Sequence, residues 1–71
     1  MDDIGNADRV ALMQRLAELK LEHRDLDVVI HHLAGDPAHD QLQLTRLKRR
    51  KLLLKDQIAR IEREIDPDVM A

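Results

Sequence analysis

The stretch AGDPAHD, residues 34–40, decides how this chain folds. It holds one of the two glycines and one of the two prolines in 71 residues, and it separates two long segments of helical periodicity. Gly35 suits the left-handed position that ends many helices. Asp36 followed by Pro37 suits an N-cap with proline at the first helical position. The stretch therefore predicts a tight turn at 35–36, with one helix ending at about 34 and another starting at about 37.

Working backwards from the turn, Leu12, Leu16, Leu19, His23, Leu26, Ile30 and Leu33 are spaced 4, 3, 4, 3, 4, 3. That is a heptad seam on one helix face. Asn6 or Asp8 is the expected cap, so helix 1 should cover about 7–34. Working forwards, Leu44, Leu47, Lys51, Leu54, Ile58, Ile61 and Ile65 are spaced 3, 4, 3, 4, 3, 4. Pro67 marks the end of this helix, which should cover about 37–65 and leave a short tail, 66–71. Two long helices joined by so short a turn should lie antiparallel. The expected fold is all-α, one small domain forming a coiled-coil-like two-helix hairpin. Each seam has a single polar interruption. If helix 2 starts directly after Asp36, His23 and Lys51 share a layer; a looser turn moves Lys51 toward Leu26 and Asp27.

Composition agrees with helices and limits chemistry. The chain has no Cys, Phe, Tyr or Trp, so aliphatic side chains do the packing and neither a disulfide nor a thiolate metal site can form. There is also no Ser, no Gly-rich phosphate loop, and no cleft expected between two helices, which argues against an enzyme and a small-molecule substrate. His31, His32 and His39 lie near Asp36 and Asp40, but adjacent helical histidines diverge by about 100° and no i, i+4 pair exists. Neither a metal nor another cofactor is expected. No apolar run reaches the roughly 18 to 20 residues that span a bilayer. The acidic start MDDIGNADRV lacks a leader's apolar core, so a cytoplasmic setting is expected.

The segment LKRRKLLLKD, residues 47–56, sets basic residues against leucines. On a helical wheel Leu47, Lys51 and Leu54 face helix 1, Lys48, Arg50 and Lys55 lie on the flanks, and Arg49 points outward between Leu52 and Leu53. The basic run is therefore spread around the helix. Residues 1–39 carry four Lys/Arg against eight Asp/Glu, and residues 40–66 carry eight against five, so an acidic helix meets a basic one. Asp27 with Lys48 and Arg15 with Glu64 are the expected flanking pairs.

Aliphatic residues also occur off the seams. Val10, Ala17, Leu21 and Val28 make a second stripe opposite the seam of helix 1, and Leu42, Leu52, Leu53 and Ala59 lie on the outer side of helix 2. A hairpin cannot bury both faces of its helices, and contiguous apolar surface usually marks an interface. A homo-oligomer, as a four-helix bundle, or a helical protein partner is expected, with Leu21, Val28, Arg49, Leu52 and Leu53 at the contact. The alternative is an RNA- or DNA-binding accessory protein using Arg46, Arg49, Arg50, Arg60 and Arg63 on phosphates. A net charge of −2 and the lack of aromatics for base stacking weigh against it.

Two blocks carry a family resemblance. EHRDLDVVIHHL in helix 1, with His23, Leu26, Asp27 and Ile30, and LTRLKRRKLLLKDQIARIE in helix 2, with Leu47–Leu52 and Leu54–Asp56, resemble the YdcH-like family of short bacterial proteins, a domain of unknown function. The likeness covers roughly residues 12–62. It implies a helical hairpin in a bacterial cytosol and supplies no activity. It also implies that His23, Asp27 and Lys51 form a family feature. Physically, a polar layer in an apolar seam lowers stability while fixing alignment. Protonation of His23 near Lys51 would loosen the hairpin.

Overall fold

The computed structural model describes residues 4–66, with side chains from Asp8 onward. Two helices, α1 (Ile4–Ala34) and α2 (Gln41–Ile65), pack antiparallel, and no strand occurs among the described residues. The hairpin measures 55 × 23 × 15 Å, a flat rod one helix thick. The seam residues of both helices are where the heptad spacing puts them. Leu19, Ile30, Leu44 and Leu54 are buried, and every other seam position is half-buried. Only one line of side chains on each helix faces the other, so the core is thin. Burial of each such leucine contributes about 1.5–3 kcal/mol, which leaves a chain of this size with a narrow margin.

The ends of the helices differ from the sequence expectation. α1 starts at Ile4, so Asn6 and Asp8 lie inside the helix and neither caps it. Gly35 does not take a left-handed conformation. Its N–H donates to the His31 carbonyl at 3.3 Å, and the Asp36 N–H donates to Leu33 at 3.1 Å, closing the helix with a tighter turn. α2 starts four residues later than Pro37. Asp36 does not cap it; its Oδ1 accepts the Ala38 N–H at 2.9 Å in a local side-chain turn. Asp40 is the cap, its Oδ1 accepting from the Leu42 and Gln43 amides at 2.9 and 3.2 Å. Two aspartates four residues apart compete for one helix start. Asp40 precedes a glutamine three residues on, the pattern of a capping box, and sits next to the first seam leucine, Leu44. The tail beyond Asp66, with Pro67, lies outside the described residues.

The connection is therefore 35–40 rather than 35–36, and its length sets the register. His39 braces it: Nδ1 lies 2.8 Å from the Asp36 carbonyl oxygen and Nε2 lies 2.8 Å from Gln41 Oε1. Both partners are acceptors, so the imidazolium, with two N–H groups, satisfies both. The Asp36 carbonyl, and then Gln41, accordingly raise the His39 pKa above 6.5. At the other end of the rod, Arg9 Nη1 donates to the Ile65 carbonyl at 3.1 Å, placing a cation at the negative end of α2.

Candidate interaction surface

The longer connection selects the second register. Lys51 reaches Asp27 at 2.5 Å, with the two side chains 34% and 55% exposed. Its stem crosses the seam while the ammonium emerges at the edge. That hydrogen bond, aided by the Lys51 charge, holds the Asp27 carboxyl below its usual value. Lys48 is not the partner of Asp27. Arg15 likewise pairs with Glu18 on its own helix, at 3.5 Å, rather than with Glu64. Lys20 with Glu62 at 3.3 Å and Arg50 with Glu22 at 2.7 Å tie the helices together on opposite flanks. Arg15 and Glu64 still line the same open depressions between the helices, so it is the closer Glu18, not the register, that takes Arg15. The expected attraction between an acidic and a basic helix is nonetheless seen in the Asp27–Lys51 and Glu22–Arg50 pairs.

His23 lies half-buried in the α1 seam, and its Nε2 is enclosed with no hydrogen-bond partner. Enclosing a ring nitrogen without a partner costs stability. The polar layer is thus asymmetric: Lys51 and Asp27 satisfy each other, whereas His23 is unsatisfied.

Outside the seam the chain exposes many large aliphatic side chains. On α1, Val10, Leu21 and Val28 are more than half exposed, and on α2 Leu42, Leu52 and Leu53 are exposed at 61%, 65% and 56%. Met13 and Val29 add to the surface of α1. Ala17 is exposed as expected, but Ala59 is half-buried on the flank of α2. Val29 was not anticipated from the spacing of the second stripe. At about 100° per residue it falls on a flank rather than on either stripe.

The arginines do not make one surface. Arg46, Arg49, Arg50, Arg60 and Arg63 are all exposed, yet Arg50 is held by Glu22 and Arg60 by Asp56 at 3.3 Å. Lys48, Lys51 and Lys55 line one open depression together with Ile30 and Leu52. Among the described residues, no group of three or more metal-ligating side chains comes together. No helix there is long and apolar enough to cross a membrane.

A thin antiparallel hairpin with a polar seam layer and apolar outer edges defines a small all-helical protein. The chain belongs to the family described as Protein of unknown function (DUF465), whose model matches residues 16–62. YdcH-like proteins belong to the same family, in keeping with the two sequence blocks, although the match begins at Leu16 rather than near Leu12. No curated protein matches the chain, and neither does any solved structure.

Proposed function

We propose that the protein is a non-enzymatic interaction or adaptor protein of the cytoplasm, acting by self-association or by docking onto a helical protein partner. The observation that carries this reading is the exposure of Leu21 and Val28 on α1 and of Leu52 and Leu53, beside Arg49, on α2. A thin hairpin gains most of its missing core by covering such edges, and two hairpins together would supply four helices. Among the described residues, the shallow surface and the aliphatic seam offer no constellation of nucleophile, base and oxyanion donor.

Affinity capture of the tagged protein, split into nuclease-treated and untreated halves, tests the reading. The expected result is a protein partner, or a second copy, that survives nuclease and is lost in Leu53→Asp or Leu21→Asp. Nucleic acid as the bound species, with bound proteins released by nuclease and binding lost in Arg49→Glu/Arg50→Glu, would overturn it.

A further inference from the structure

Rest the interaction reading on α2, and the order of residues along its outer edge names the partner. Arg49 and Asp56 are seven apart, so they project within about 20° of one another. Both are exposed, and they lie on the side of α2 turned away from α1. Between them sit Leu52 and Leu53, the two most exposed leucines of this segment, splayed to either side of the same line. The midpoint between Leu52 and Leu53 is also the midpoint between Arg49 and Asp56. Cation, leucine pair and acid therefore become acid, leucine pair and cation when the helix is reversed.

We infer that this edge docks a second copy of the chain, α2 against α2 antiparallel, with a two-fold axis passing between Leu52 and Leu53. Arg49 of each copy then meets Asp56 of the other, about 5 Å along the helix on either side of the axis, and four leucines close over the centre. Asp56 can take this partner while keeping its own Arg60. The in-chain pair uses Oδ2 and leaves Oδ1 without a partner among the described residues. The α1 edge is arranged differently: Arg24 and Asp25 are sequence neighbours on its outward side, with no pair of leucines centred between them. The contact forms a flat four-helix layer with both α1 edges outward, rather than a compact bundle.

Sedimentation equilibrium of the full chain from about 1 µM to about 1 mM tests this directly, with circular dichroism to confirm that each variant stays helical. Wild type should pass from monomer to dimer across that range. Arg49→Asp and Asp56→Arg should each weaken the dimer about tenfold or more, because both symmetric pairs become repulsive. The double variant should return to within about threefold of wild type, since both pairs are restored with their signs exchanged. Failure of the double variant to regain the dimer overturns the inference. So does a dimer that ignores both single changes but is lost in Leu21→Asp, although that result leaves the broader interaction reading standing. A chain that is monomeric throughout also overturns it and leaves nuclease-resistant capture of another protein to decide the broader reading.

Discussion

Leu52, Leu53 and Leu54 are three identical residues in a row, exposed at 65%, 56% and 0%. Nothing in their side chains distinguishes them. Each successive residue turns about 100° around the helix axis, so one of the three falls on the seam and two fall outside it. The same contrast runs the length of the hairpin, between a seam that spends its leucines on the partner helix and edges that leave them in water. The lesson is that hydrophobicity here is allotted by position in the heptad. The edge leucines are surplus to the hairpin and are therefore the residues to explain by association.

The sharpest way to break that comparison is to shorten neighbouring leucines. Leu54→Ala should cost about 2–5 kcal/mol, lost transfer energy plus a cavity. That approaches the whole stability of so small a domain, so circular dichroism should show the isolated chain largely unfolded. Leu53→Ala should shift the stability of the monomer by no more than about 0.5 kcal/mol. Equal losses in the two variants would mean that the edge is as structural as the seam.

The connection offers the next test. Asp40→Ala removes the acceptor for two amides and should cost about 1 kcal/mol, read as a lower urea midpoint. Asp36→Ala loses one turn contact and should cost less. If Asp36→Ala were the more damaging change, the second helix would start at the earlier aspartate.

Inside the seam, His23→Leu should raise stability by about 1 kcal/mol, because it replaces an enclosed ring nitrogen that has no partner with an apolar side chain. A lower melting temperature in this variant would show that His23 holds the hairpin together in a way its unpartnered nitrogen does not suggest.

The smallest effects depend on pH and have opposite signs. His39 has a raised pKa in the folded chain, so its contribution is fully present below about 6.5 and fades as pH rises through the folded value. Asp27 has a lowered pKa, so its contribution is present above the ordinary carboxylate value of 3.8 and is lost as pH falls through the folded one. Proton-resonance titration should place His39 above 6.5, and His39→Ala should flatten the mildly alkaline limb of the stability profile. Asp27→Asn should flatten the acid limb.

How much of this was legible beforehand varies by element. All fourteen seam positions were readable, and each is buried or half-buried in the folded chain. The outer stripes were readable too, apart from Ala59, Met13 and Val29. The turn was misread because Gly35, Asp36 and Pro37 look like a complete stop and start. The rival signal, Asp40 with Gln43 three residues on, was present in the sequence but was outranked by the proline. The longer turn gives Asp27 to Lys51 rather than to Lys48, whereas Arg15 stays beside Glu64 and pairs with Glu18 on its own helix. Of the candidate surface, Leu21, Val28, Arg49, Leu52 and Leu53 are all named by spacing; the matching of Arg49 to Asp56 about a common midpoint lies in the same spacing, and the structure adds that both are exposed.

The sequence by itself therefore determined two helices, their inward faces and their surplus leucines, because helical periodicity is a local property repeated over many residues. The sequence offered the pairing of Lys51 with Asp27 as one of two registers; the tertiary structure alone decided which register holds and that His23 is left without a partner. Those depend on the length of one connection, and that length was settled by a competition between two aspartates for the same helix start.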